Sequence, residues 1–211
     1  MNSAYFDAQA VTWDEEPYRL ARAEAVAAGI RRQLPLNSSM NGFEFGCGTG
    51  LLSFCLQADL GGITLADTSP AMLEVLKGKL DATGSRHMRP WKLDQENSSF
   101  PAESFDLVYS LMTFHHIEDI ARLLGKLRAL LKSCGYLCVA DLDREDGSFH
   151  NEETVPHHGF DRNELKRLVC SVGFRDVVFE TVFEICKSTN GVEKSFPVFL
   201  MIAQVDTLLA T

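Results

Sequence analysis

Apolar positions along the chain recur in two rhythms that take turns. Short runs rich in β-branched and aromatic residues alternate with longer stretches whose apolar residues return every three or four positions. The first long stretch follows Thr12-Trp13-Asp14-Glu15, a capping-box pattern with Pro17 early in the next turn, and Ala23, Val26, Ile30 and Leu34 then share one helical face. Pro35 and the mostly polar run from Asn37 to Asn41 close it. A strand at Phe43–Phe45 is expected next, then a buried helix over Leu51–Ala58 and a strand over Ile63–Asp67. Ser69 and Pro70 suit the N-cap and first position of a helix with Leu73, Leu76 and Leu80 on its core face. Strands are expected over 88–94 and Phe105–Leu111. A helix over Ile117–Lys132 turns Ile120, Leu123, Leu127 and Leu130 inward, with Gly135 placed to follow its C-cap. A strand over Tyr136–Leu142 leads into the polar region Asp143–Gly159, and a helix capped near Asp161 ends by Gly173. Strands over Val177–Ile185 and Phe196–Val205 are separated by a polar turn at Asn190-Gly191.

Strands alternating with helices predict a mostly parallel sheet covered on both faces. The last two strands have no helix between them, so an antiparallel hairpin at one edge is expected. The result is a three-layer α/β fold of seven strands. Sheets of this kind bind ligands beyond the carboxyl ends of their strands.

Composition narrows the function. The 211 residues fit one domain, and 45% hydrophobic with 23% charged residues is ordinary for a folded globule. A net charge of −9 weighs against a nucleic-acid partner, which needs a basic footprint; Arg31-Arg32 and Lys126 with Arg128 read as solvated helix faces. The opening segment Met1–Glu16 shows no basic start followed by an apolar run, so no secretory leader is expected, and no stretch reaches the ~20 apolar residues of a membrane span. Six cysteines are then expected as reduced thiols in a cytoplasmic protein, with Cys55, Cys134, Cys138 and Cys170 in apolar patterns. No CxxC pair or HExxH occurs, and no metal is expected.

The chemistry concentrates in Gly46-Cys47-Gly48-Thr49-Gly50, which follows a strand and opens a helix, as a nucleotide-binding loop requires. Asp67, ending the second strand, can accept hydrogen bonds from two ribose hydroxyls. Two features argue against a nicotinamide dinucleotide: Leu51 stands where GxGxxG places its last glycine, and a second acid, Asp94, ends the third strand.

The runs Glu44–Gly50, Asp67–Leu73, Asp94 and Phe105–His116 together resemble the class I S-adenosylmethionine-dependent methyltransferases, closest to the small-molecule group that includes quinone-ring C-methylating enzymes. The resemblance implies a Rossmann-like single domain over 1–211. Residues 1–36 are its helical lid, 40–145 its cofactor-binding core, and 146–211 its substrate loop and C-terminal hairpin. It also implies S-adenosylmethionine as cofactor, leaving as S-adenosylhomocysteine. Gly46, Cys47, Gly48 and Gly50 would back the methionine moiety, and Glu44 would orient its amino group. Asp67 would bind the ribose, while Thr68 and Met72 would line the adenine, bordered by Asp94 and Gln95. Ser110 and Leu111 would lie beneath the cofactor, with Trp13, Tyr18 and Arg19 folding over it.

Methyl transfer from a sulfonium is an in-line displacement that needs alignment and exclusion of water more than a metal or a covalent intermediate. For a hydroxyl or carbon acid a general base helps, and histidine suits neutral pH. His115 and His116 follow the fourth strand; His157 and His158 precede the sixth helix. One of these four is expected to face substrate, with His116, His115 and His158 the leading candidates. The run Ser110-Leu111-Met112-Thr113 lacks the (Asp/Asn)-Pro-Pro-(Tyr/Phe) tetrad of many amide- and amine-directed enzymes. The expected partner is a small-molecule acceptor meeting Phe114, Phe149, Phe160, Asp143 and Arg144, without nucleic acid or membrane insertion. A protein or RNA methyltransferase, a non-catalytic binding module and a nicotinamide-dependent oxidoreductase are the competing readings.

Overall fold

In the computed structural model, residues 3–93, 102–150, 154–189 and 192–206 are described. Seven strands, β1 (Asn41–Phe45), β2 (Gly62–Asp67), β3 (Met88–Lys92), β4 (Phe105–Leu111), β5 (Leu131–Leu142), β6 (Phe174–Thr189) and β7 (Val192–Val205), form one sheet in the order β3-β2-β1-β4-β5-β7-β6. The first five run parallel, whereas β7 lies antiparallel between β5 and β6. The expected three-layer α/β architecture with its edge hairpin is therefore present.

Alternation along the strands sorts the core. Leu107, Tyr109, Cys138 and Ala140 point to one face, where α2 (Pro17–Gln33), α3 (Leu51–Leu56) and α4 (Pro70–Thr83) cover them. Phe43, Val108, Leu137 and Val139 point to the other, under α5 (Ile120–Leu130) and α6 (Arg162–Ser171). Both faces are apolar because both are covered. Helix starts follow local chemistry: Ser69 accepts from the Met72 N–H at 3.1 Å, Asp119 from Arg122 at 2.8 Å, and Asp161 from Asn163 and Glu164 at 2.9 Å each. Caps of this kind contribute about 1 kcal/mol apiece. No helix among the described residues is long and apolar enough to cross a membrane.

Several boundaries differ from expectation. Thr12 caps no helix: residues Ala10–Glu15 wind into a 3-10 turn, and α2 starts at Pro17 after an extended Glu16. The short α3 stops at Leu56, where the Asp59 N–H turns back onto its carbonyl. At its C-terminus α5 stops at Leu130 because Leu131 is already extended and paired with Phe105 of β4. Gly135 is thus a strand residue; a Cβ there would meet the Lys132 carbonyl at 2.9 Å. The final two strands begin earlier than their apolar runs. Cys134, Cys170 and Cys186 are exposed; Cys134 sits at a positive φ of 61°, and α6 turns only Leu165 and Val169 inward. Asp94 and Gln95 lie outside the described residues, as does the turn at Asn190-Gly191, and β3 ends at Lys92.

The N-terminal helix α1 (Ser3–Gln9) buries no residue and is held by polar contacts. Asp7 accepts from the Ser69 hydroxyl at 2.6 Å and the Ala71 N–H at 3.2 Å. Asp14 accepts from the Lys79 ammonium at 2.7 Å. These contacts lay residues 3–15 across the carboxyl ends of the strands.

Candidate active site

After β1 the chain turns back on itself through Gly46 and Cys47, whose N–H groups both donate to the Ala66 carbonyl at the end of β2, at 2.8 and 3.1 Å. Gly46 has a φ of 69°, and a Cβ there would stand 2.3 Å from Thr113. The loop is thereby clamped to the tail of β4. Gly48 is different: its φ is also positive, but a Cβ would find only the Met72 sulfur and the Trp13 indole nitrogen, each 3.9 Å away. Its backbone faces open space.

That space is a cleft of about 630 Å³, its open mouth included. Glu44, Gly46–Thr49 and Asp67 form the floor; Met72 lines it from the β2 side, and Leu111, Met112, Thr113 and His116 form the wall on the β4 side. Leu51 and Leu52 close the back, and Phe6, Trp13, Arg19 and Arg22 form the roof. Arg19 lies 3.6 Å over the Trp13 ring and donates to the Trp13 carbonyl at 2.8 Å.

Two acids shape the floor. Asp67 is buried, with one oxygen accepting from Gly48 N–H at 2.7 Å and the other from Ser69 N–H at 2.8 Å. Burial raises its pKa against the opposing pull of these N–H groups and that of Thr68. Glu44 accepts from the Ser53 hydroxyl, which also contacts Tyr109 Oη at 2.6 Å. Burial pushes Glu44 up to about 8, so it is mostly protonated at neutral pH. The Cys47 thiol is raised too, by burial and then by Asp67 and Glu44, which keeps it an unreactive thiol.

Behind the wall stands a cluster of imidazoles. His115 Nδ1 meets Asp141 Oδ1 at 2.6 Å with both side chains buried, and the same carboxylate accepts from the Leu142 N–H at 2.8 Å. Burial works to raise Asp141, but His115 and these N–H groups outweigh it and hold it below the usual carboxylate range. The His115 ring centroid lies 4.1 Å from that of His116 and 4.9 Å from that of His150, and the Phe6 ring stands edge-on to His116 with centroids 5.2 Å apart. Burial, followed by the charges of His115 and His150, lowers His116 to about 3; it is neutral at physiological pH.

Of the residues read from sequence, Glu44, Gly46, Cys47, Gly48, Asp67, Met72, Leu111, Trp13, Arg19 and His116 line one cleft. Thr68 and Gly50 stand beside it, Gly50 at the head of α3. Ser110 is buried and donates to the Phe45 carbonyl at 2.8 Å, tying β4 to β1. His115 lies behind His116. His157 lies outside the cleft with its Nε2 3.3 Å from the Glu118 carbonyl, and His158 is half exposed with its Nδ1 3.5 Å from Glu145. Phe114 is core; Asp143 pairs with Arg162 at 2.6 Å and Arg144 with Glu164, away from the cleft. Sequence reasoning missed Phe6 and Arg22. For Arg22 a signal exists: it sits one turn before Val26 and two before Gly29, on the inward face of α2, where a charge is out of place.

Residues 43–137, which span the glycine loop, both acids and the tail of β4, match the methyltransferase domain family. That match covers somewhat less than half of the chain, and over it the chain is similar to S-adenosylmethionine-dependent methyltransferases. A ubiquinone biosynthesis O-methyltransferase of Rhodopseudomonas palustris is 29% identical over 137 residues, covering 63% of this chain and 53% of that protein. The chain spans about half the length of the curated relatives it matches. A methyltransferase of Haloferax volcanii, solved with a methyltransferase activator, superposes with a TM-score of 0.78 at 17% identity over 95% of this chain and 97% of that one. A Haemonchus contortus phosphoethanolamine N-methyltransferase, solved with S-adenosylmethionine, has a TM-score of 0.71 at 15% identity over 86% of this chain and 52% of that one. At these identities the two structures speak for the methyltransferase fold.

Proposed function

We propose that this methyltransferase moves a methyl group from S-adenosylmethionine to a small acceptor seated between Phe6, Met112 and His116. The observation that carries this is the pairing of Gly48 with Asp67: an open backbone approach directly beside a buried carboxylate at the end of β2. The remaining lone pairs of Asp67 suit the two hydroxyls of a ribose, with Thr68 beside them. Met72 and Leu111 offer apolar walls to a flat ring. Glu44 suits an ammonium group, since a nearby cation favours its ionised form. Gly46, Cys47, Gly48 and Gly50 shape the methionine end, Ser110 supports the floor, and Asp94 and Gln95 extend the adenine edge in the family pattern.

When bound, the sulfonium supplies an activated methyl group. The chain supplies alignment and dryness. Phe6 and Trp13, carried on the segment 1–36, act as a lid that excludes water. His116 presents a neutral imidazole to the acceptor, able to accept a hydrogen bond from it, and His115 with Asp141 backs that ring. The roof over the cleft favours a small acceptor over a polypeptide or RNA, and the name of the Rhodopseudomonas relative points the same way.

Calorimetric titration with S-adenosylmethionine, S-adenosylhomocysteine and NADH tests the reading. Micromolar binding of the first two, lost in Asp67→Ala, is expected. Binding of NADH alone, or of none, overturns it.

A further inference from the structure

Among the described residues, Arg22 is a buried cation without a counter-ion. It is 7% exposed, lies on the inward face of α2 and lines the cleft. Its Nε has no hydrogen-bond partner, and the groups whose charges it feels are Tyr18, the cation Arg19 and Asp141. The Tyr18 ring lies 5.8 Å away and offers a cation–π contact only. Asp141 is already engaged: its Oδ1 meets His115 Nδ1 at 2.6 Å and accepts from the Leu142 N–H at 2.8 Å, and its Oδ2 accepts from the His115 N–H at 3.3 Å.

A second positive charge reaches the same region from β6. Lys187 sits 3.6 Å over the Phe149 ring and donates to the Phe149 carbonyl at 3.2 Å. Burial and then the charges of Arg22 and Arg19 lower its pKa. The acid that Lys187 feels, Glu145, accepts from the Phe149 N–H at 3.1 Å and stands 3.5 Å from His158. Positive charge thus gathers at one end of the cleft in a chain whose net charge is −9. A buried charge left unpaired is strongly unfavourable, so such a site is tuned for an anion that arrives from outside.

We propose that the methyl acceptor is a small carboxylic acid whose carboxylate pairs with Arg22, with Lys187 behind it, while the methylated atom lies toward His116. The inference rests on the reading of the cleft as a methyl-transfer site. A planar guanidinium fork matches a carboxylate through two parallel hydrogen bonds, which an ammonium cannot reproduce. Arg19 is placed for the other end of the cleft: it lies against Trp13, whose indole faces Gly48. Arg22, one helical turn further along, faces the Asp141 side.

The test uses protein saturated with S-adenosylhomocysteine, and its binding to wild type is measured first. Failure at that step defeats the methyl-transfer reading itself. Thermal melting is then followed with acetate, succinate, benzoate and 4-hydroxybenzoate, each against its amide. At least one acid is expected to raise the melting temperature saturably while its amide does not. Arg22→Met should abolish the effect and Arg22→Lys should weaken the acid at least tenfold, both binding S-adenosylhomocysteine within threefold of wild type. No acid exceeding its amide, or equal acid binding by the Met variant, overturns the proposal. So does a tenfold loss of S-adenosylhomocysteine affinity in both variants, which would assign Arg22 to the cofactor's own carboxylate.

Discussion

The Thr49 hydroxyl of the glycine loop donates to Asp14 on the roof at 2.6 Å, and Lys79 of α4 joins them by donating to both Asp14 and the Thr49 carbonyl. The roof is thus latched to the floor through side chains, whereas α1 contributes no buried residue of its own. A latch of this kind opens at little cost, as ligand entry requires.

Asp14→Ala is therefore expected to weaken S-adenosylhomocysteine binding about three- to tenfold, the ~1 kcal/mol of a partly exposed charged hydrogen bond. The melting temperature of the free protein should barely move. Calorimetry and hydrogen exchange check this together: exchange should quicken over residues 3–15 and stay slow in β1, β4 and β5.

Glu44 links cofactor binding to protons. Its folded pKa of about 8 lies above the ordinary 4.5, so its contribution to stability is fully present below 4.5 and is lost as pH rises through 8. A bound ammonium reverses that preference. At pH 7, S-adenosylmethionine binding should release close to one proton, read as a buffer-dependent calorimetric enthalpy in phosphate and Tris. Glu44→Gln should bind at least tenfold more weakly and release none.

His116 carries the opposite sign. Its folded pKa of about 3 lies below the ordinary 6.5, so the stability it allows is present above 6.5 and is lost as pH falls toward 3. Between pH 7.5 and 5.5 this loss amounts to about 1 kcal/mol. Chemical denaturation of His116→Gln at those two values should show a smaller drop than wild type.

Gly46→Ala joins two faults, a Cβ 2.3 Å from Thr113 and a φ of 69°. A destabilisation of about 1–3 kcal/mol is expected from the backbone alone, with more from the clash. Gly46→Ala with Thr113→Gly should recover the clash part only, which denaturant titration of the two proteins resolves.

What the sequence made legible was local. A glycine loop between strand and helix, an acid closing β2, and Ser69, Asp119 and Asp161 before their helices each act through neighbours a few residues away. The errors arose where distant chain decides. Leu131 reads as helix by its spacing, yet pairing with Phe105 draws it into β5. His158 looks like a site residue beside His157, but its loop turns it toward Glu145. The dyad of His115 and Asp141 joins residues separated by a whole helix, and the unpaired state of Arg22 is visible only when the elements around it are assembled.

The placement of β7 also bears on how this protein is made. Its residues 198–204 pair with Tyr136–Leu142 of β5, so the strand that carries Asp141 keeps a bare edge until residues 198–204 have left the ribosome. No shorter nascent chain can set the His115 ring against a fully paired β5. An unfinished sheet with an open apolar edge is the species most prone to join its neighbours. Translation that stalls in this hairpin therefore yields a chain with its cofactor loop already written and its core unsealed, a client for chaperones.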